Sequence, residues 1–151
     1  NLEPSELGAA FGLVQLKKLK KNLRLREINF NLHTDYLKKY SKYFILPKQL
    51  PQSKTGWLAY PITITEKAPF SRTEMQIFLE KRNIQTRVVF TGNILRQPGF
   101  KNIKAKKDKN GYPEADKVMK NGILIACHHG LTNKMMSHIH NSIDKFILKY
   151  S

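Results

Sequence analysis

The sequence predicts a two-layer α/β domain, a small sheet covered by helices, and two observations carry that prediction. Apolar residues recur at helical spacing early in the chain (Leu13, Leu16, Leu19, Leu23) and then alternate strictly further on (Leu58, Tyr60, Ile62, Ile64). Two short runs of strand-forming residues, Val88–Val89–Phe90 and Ile123–Leu124–Ile125, are interleaved with segments of helical period. A length of 151 residues suits one compact domain with a real core.

Each element has its own signal. Ser5 and Glu6, followed by Ala9 and Ala10, open a long amphipathic helix reaching the late twenties. Leu32, Tyr36, Leu37 and Tyr40 form a second periodic stretch that either continues this helix or follows a bend, and Pro47 and Pro51 end the region. From Gly56 the period becomes two, and Pro61 places that strand at an edge or a local irregularity. Ser71 and Glu74 have the spacing of a capping box, so a short helix carrying Met75, Phe78 and Leu79 should run to about Arg82. A strand over 88–90 follows. Gly92 to Tyr112 shows no periodicity and reads as a long loop. Pro113 suits the first turn of a short helix with Ala115, Val118 and Met119, and a strand over 123–125 comes next. Thr132 is a candidate N-cap for a last helix on which Met135, Met136, Ile139, Ile143, Phe146 and Ile147 share a face.

Composition narrows the function classes. Lys and Arg number 27 against 11 Asp and Glu, a formal net charge of +16. Such a surplus raises nucleic-acid binding as one hypothesis. The clusters at Lys17 to Arg26 and at Lys38 to Lys42, and the basic run from Lys101 to Lys109, come without zinc-finger spacing, a helix-turn-helix pattern or an aromatic-plus-Gly RNA motif. Plain solvated faces are the bland reading, and the pattern argues against nucleic acid. The single cysteine, Cys127, excludes an internal disulfide and fits a reducing cytoplasm. There is no apolar run of about 18 residues. The chain starts at Asn1 with a helical pattern close behind, so it is expected to be part of a longer polypeptide.

Two groups of residues could carry chemistry. Cys127, His128 and His129, with His138 and His140 downstream, resemble a metal set only in composition: adjacent residues of an extended chain point to opposite sides, and the later pair lies on different helical faces. No metal site is predicted. The stretch Thr86 to Pro98 says more, because a strand bearing Arg87 delivers the chain into a loop with Gly92, Asn93, Arg96 and Gln97. Polar groups at a strand end, with Arg as a planar fork for phosphate or carboxylate, are how α/β sites are built. A surface loop with ordinary cations fits the same residues.

Ser5–Glu6, Ala9–Ala10, Gly12–Leu13, Gln15–Leu16 and Lys18–Leu19 resemble a segment of the DegT/DnrJ-type sugar-nucleotide aminotransferase family. Asn83 to Pro98 is similar to the branch of that family that dehydrates nucleotide-linked 4-keto-6-deoxyhexoses at the 3-position. Ala115 to Met119, and Gly130, Leu131 and Thr132 with the last helix, fit the family's C-terminal end, so the resemblance spans the whole chain. His128–His129 departs from it, since an aromatic–Pro pair is expected there, and the role of both histidines stays open.

The resemblance implies the small C-terminal domain of a fold-type-I pyridoxal-phosphate enzyme. One domain spans 1–151, with a helical segment over 1–46, a sheet domain over 54–151 and the large cofactor-binding domain absent. It further implies a homodimer when complete, a nucleotide-linked ketosugar as substrate, the chain's own large domain as partner, and a place in deoxysugar synthesis for lipopolysaccharide. In the dehydratase branch a His replaces the Schiff-base Lys, and pyridoxamine phosphate is the electron sink. That position precedes this chain, so a fragment of an aminotransferase remains the alternative, and no catalysis is expected of the chain alone. By resemblance Asn1 reaches the cofactor phosphate of a neighbouring subunit, while Arg87, Asn93 and Arg96 face the substrate.

Overall fold

A computed structural model describes residue 3 and residues 5–100, 102–106 and 108–150. The chain begins with α1 (Glu6–Leu37), capped by the Ser5 hydroxyl, which accepts from the Gly8 N–H at 3.1 Å. The two periodic stretches are thus one helix of 32 residues. Only its second half docks: Asn29, Phe30, His33 and Leu37 are buried, whereas residues 6–21 are exposed throughout, Leu7 at 83% and Phe11 at 67%. Phe30 stacks on Trp57 with ring centroids 4.1 Å apart. Burying a residue of this size is worth about 1.5–3 kcal/mol, so a few contacts suffice to fix the direction of α1.

Four strands form one antiparallel sheet: β1 (Phe44–Ile45), β2 (Ala59–Ile64), β3 (Arg87–Val88) and β4 (Gly122–Ala126), in the order β1-β2-β4-β3. β1 falls inside the segment assigned to helix over 1–46. Two residues carry too little period to be read from sequence, and pairing of Phe44 with Ile64 and Ile45 with Thr63 makes the strand. That short partner explains Pro61. β1 covers only residues 63 and 64, so at Pro61 the strand has a neighbour on the β4 side alone.

Tyr60, Ile62 and Ile64 point into the core with Ile123 and Ile125, as the alternation predicts, while Leu58 lies before the strand and is 69% exposed. Against that face pack α2 (Arg72–Glu80), through Met75, Phe78 and Leu79, and α4 (Asn133–Ile147), through Ile139, Ile143, Phe146 and Ile147, with Met136 also buried. Both caps form as expected: Ser71 and Glu74 make the reciprocal capping box, and the Thr132 hydroxyl accepts from the Met135 N–H at 3.2 Å. α2 stops two residues before Arg82, where Asn83 adopts φ +58° and the Ile84 N–H turns back to the Leu79 carbonyl at 3.1 Å. α3 (Pro113–Asn121), with Pro at its first position, lies against β2 and β4. Among the described residues no helix is long and apolar enough to cross a membrane.

Candidate functional site

The strand expected over 88–90 is shorter and earlier. β3 ends at Val88 because Phe90 takes a left-handed φ of +49° and donates its N–H to the Val88 carbonyl at 2.9 Å, which lifts the chain off the ladder. Gly92 follows at φ +65°, and a Cβ there would sit 2.2 Å from Cβ of Met119, so glycine is required both for the turn and for the close approach to α3. The long stretch beyond carries two single 3₁₀ turns, Ile94–Arg96 and Pro98–Phe100.

Asn93 starts the first of these turns. Its side-chain oxygen caps the Leu95 N–H at 3.1 Å and its amide donates to Asp116 Oδ1 at 2.7 Å, which leaves the residue buried. Arg96 meets the same carboxylate with both edges of its fork, Nε to Oδ1 at 3.0 Å and Nη2 to Oδ2 at 2.7 Å. Arg96 above all, then Asn93, holds the Asp116 carboxyl below its ordinary range, and Asp116 in turn raises Arg96. The structure therefore brings Asn93 and Arg96 together on an acid of α3. The Arg96 side chain is largely exposed, and its guanidinium carries N–H donors beyond the two that meet Asp116.

Arg87 stands elsewhere. It pairs with Leu124 across β3 and β4, on the sheet face opposite the core, which also carries Ala59 and Ala126. Where β4 runs on beyond its pairing with β3, a cleft of about 720 Å³ is lined by Leu124 and Ala126 of this face, by Ile125 and Ile139 of the core side, and by Arg87, His128, Leu131 and Lys134. Met135, expected on the buried face of α4, is 51% exposed and lines this cleft. Asn93 and Arg96 line a separate cavity of about 200 Å³ with Leu95, Asp108, Gly111 and Tyr112.

The Cys/His group disperses. Cys127 is buried, and desolvation pushes its thiol up to about 12. His138 Nε2 lies 2.8 Å from the Arg82 carbonyl oxygen, so it donates there. His140 instead pairs with a residue the sequence did not single out: its Nε2 is 3.1 Å from His33 Nδ1, while His33 Nε2 donates to the Ala126 carbonyl at 2.9 Å. This buried imidazole chain ties α1 to β4 and α4. No sequence signal links positions 33 and 140, because only the tertiary fold makes them neighbours.

A model of the DegT/DnrJ/EryC1/StrS aminotransferase family matches residues 1–144. The chain belongs to this family. Lipopolysaccharide biosynthesis protein RfbH of Salmonella typhimurium is 30% identical over 97% of this chain and 33% of its own length. The dTDP-4-dehydro-2,6-dideoxy-D-glucose 3-dehydratase of Saccharopolyspora spinosa is 32% identical over 100% of this chain and 32% of its own. Among solved structures, the E. coli GDP-4-keto-6-deoxy-D-mannose-3-dehydratase with bound hydrated PLP superposes with a TM-score of 0.83 at 22% identity, over 94% of this chain and 36% of that one. The aminotransferase from Psychrobacter cryohalolentis gives 0.85 at 17%, over 99% and 40%. At these identities the structures establish the fold, that of a domain of fold-type-I pyridoxal-phosphate enzymes. The chain spans about a third of the length of the curated relatives it matches.

The described part of this DegT/DnrJ-family chain does not fit pyridoxal phosphate by itself. The 720 Å³ cleft has cations and imidazoles at its edge and no carboxylate in its lining to face a pyridinium nitrogen. Asn1, matched by resemblance to a cofactor-phosphate ligand, lies outside the described residues. No sequence signal points to Asp116 as the acid that organises the loop, or to Lys134 and His128 as lining the same cleft as Arg87. A lone acid on a helix and a lysine past an N-cap carry no motif.

Proposed function

We propose that this chain is the small C-terminal domain of a pyridoxal- or pyridoxamine-phosphate-dependent sugar-nucleotide 3-dehydratase, acting in deoxysugar synthesis for lipopolysaccharide in the cytoplasm. Its large domain, outside these residues, holds the cofactor and the reacting centre, and the complete enzyme is a homodimer. The observation that carries the reading is the 32% identity, over the whole chain, to a relative named as a 3-dehydratase. A fragment of an aminotransferase is the second reading, favoured by the E. coli dTDP-4-amino-4,6-dideoxy-D-glucose transaminase at 31% identity over 68% of this chain.

In this role the chain binds and orients substrate. Arg87 offers a planar, always charged fork to the anionic part of a nucleotide-linked ketosugar. Asn93 and Arg96, braced on Asp116, form the substrate-facing loop. The electron sink for loss of the 3-hydroxyl is the cofactor's contribution when bound.

Two assays test this. The 151-residue chain alone, given a nucleotide-linked 4-keto-6-deoxyhexose and pyridoxamine phosphate, should show no turnover. In the complete enzyme, Arg87→Ala should lower kcat/KM by about tenfold or more with an unchanged melting temperature, as loss of a charged hydrogen bond implies. Turnover by the chain alone refutes the division of labour, and wild-type kinetics for Arg87→Ala removes Arg87 from the site.

A further inference from the structure

The sequence contains two Asn–Gly pairs, Asn110–Gly111 and Asn121–Gly122, and the fold treats them oppositely. Asparagine before glycine is the pairing most prone to lose its side-chain amide. With no Cβ in the way, the glycine nitrogen can reach the Asn side-chain carbonyl carbon and close a succinimide ring. Whether it does so depends on how freely that nitrogen and the side chain can move.

At Asn110 both are free to move. The residue is exposed, and among the described residues its side-chain amide has no hydrogen-bond partner, only its backbone N–H donating to Asp108 Oδ1 at 2.8 Å. The attacking nitrogen is held by a single bond, from the Gly111 N–H to the Asp108 carbonyl at 3.1 Å, in a turn outside any helix or strand. Exposed turns of this kind open locally at little cost. Nothing lies within 4 Å of the place a Gly111 Cβ would occupy, which leaves room for the ring.

At Asn121 the same chemistry is blocked. Asn121 is the last residue of α3, and Gly122 opens β4, where it is buried and pairs with Thr63 of β2. The Gly122 N–H donates to the Val118 carbonyl. A Cβ on Gly122 would stand 2.5 Å from that carbonyl oxygen and 2.8 Å from Cγ2 of Val89, so the backbone has no space in which to turn its nitrogen toward the Asn121 side chain. Freeing it requires β4 to leave the sheet.

We propose that Asn110 is a site of spontaneous deamidation and that the fold protects Asn121. The Gly111 nitrogen loses its proton and bonds to Cγ of Asn110, the side-chain nitrogen takes up a proton and leaves as ammonia, and water opens the succinimide at either carbonyl. The product is an aspartyl or isoaspartyl residue at position 110, with no change of oxidation state. A carboxylate replaces a neutral amide, and the isoaspartyl form adds a methylene to the main chain next to Gly111, which with Tyr112 lines the small cavity of Asn93 and Arg96. This modification is independent of the proposed function.

The test holds the purified protein in warm, mildly alkaline buffer, folded or unfolded in guanidinium chloride, and follows both positions by peptide mass spectrometry with isoaspartyl methyltransferase labelling. In the folded protein, position 110 should convert within about tenfold of its rate in denaturant, since only a local opening is needed. Position 121 should convert about a hundredfold or more slower folded than unfolded, because its release requires loss of the core sheet. Gly111→Ala, in which a Cβ shields the nitrogen, should slow conversion at 110 by about tenfold or more in both states. Absence of isoaspartyl at 110 in the folded protein, equal protection of the two positions, or an unchanged rate in Gly111→Ala overturns the proposal.

Discussion

Acid should loosen the docking of α1 as the pH falls from 6.5 toward about 4. His33 and His140 are both buried; His33 donates to the Ala126 carbonyl and accepts from His140, so a proton on His33 Nδ1 breaks the bond between the rings, while a charge on His140 leaves that bond intact and is opposed by burial. Burial lowers each from 6.5 to about 4, with the hydrogen bond to Ala126 acting against this for His33 and the neighbouring His33 adding to it for His140. A folded-state pKa below the unfolded one means stability is full above the unfolded value and falls with pH toward the folded one. The window is therefore 6.5 down to about 4, at about 1.4 kcal/mol per pH unit for each histidine. One histidine alone removes about 3 kcal/mol by the lower end, a large part of a domain's net stability. Asp144 separates cleanly. Burial would raise its carboxyl, but hydrogen bonds from Tyr36 and Tyr40 and the ion pair with Lys39 overcome that and hold it below 3.8, so its contribution is lost only at lower pH. Urea melts across this range, followed by circular dichroism and by the single tryptophan, Trp57, stacked on Phe30 of α1, measure both global stability and docking of the helix. His140→Phe should start about 1–3 kcal/mol less stable at neutral pH, since His33 Nδ1 loses its donor, and should show about half the acid slope. An identical slope in His140→Phe would falsify the assignment of that slope to the imidazole pair.

Three further substitutions test the site's architecture. Phe90→Gly should stabilise the chain by about 1 kcal/mol in a thermal melt, because a ring that is 86% exposed contributes little packing while φ +49° costs an L-residue about 1–2 kcal/mol. Asp116→Ala should leave the melting temperature within a few degrees yet raise amide exchange across residues 93–97, since Asn93 and Arg96 lose their shared acceptor; unchanged exchange would refute the bracing role. Ser71→Ala should cost about 1 kcal/mol through loss of the capping box, and an unchanged urea midpoint would contradict it.

The parts of the fold legible in the sequence are those with local signals. Ser5, Ser71 and Thr132 each cap a helix through their own hydroxyls, Pro113 opens α3, and the alternation of Tyr60, Ile62 and Ile64 names the buried face of β2. β1 was not legible, because two residues hold no period and the strand exists through its partner. The end of β3 was misplaced for a related reason: Val89 and Phe90 have strong strand propensity, and a left-handed φ at Phe90 overrides it. At the site, Arg87, Asn93 and Arg96 lie in one continuous stretch, yet the fold sends Arg87 to the sheet face opposite the core and the other two to Asp116. Sequence proximity groups residues that a strand's alternation and a turn then separate, and His128 and Lys134 come to line the same cleft as Arg87 only through the tertiary fold.

The most direct measurement of the central claim is the product formed by this chain joined to its cofactor-binding large domain, with a nucleotide-linked 4-keto-6-deoxyhexose, pyridoxal phosphate and glutamate. Mass spectrometry should find a 3-deoxy sugar nucleotide, the substrate less its 3-hydroxyl oxygen, with no amine retained. A 4-amino sugar nucleotide that keeps its 3-hydroxyl would contradict the dehydratase reading and assign the chain to an aminotransferase.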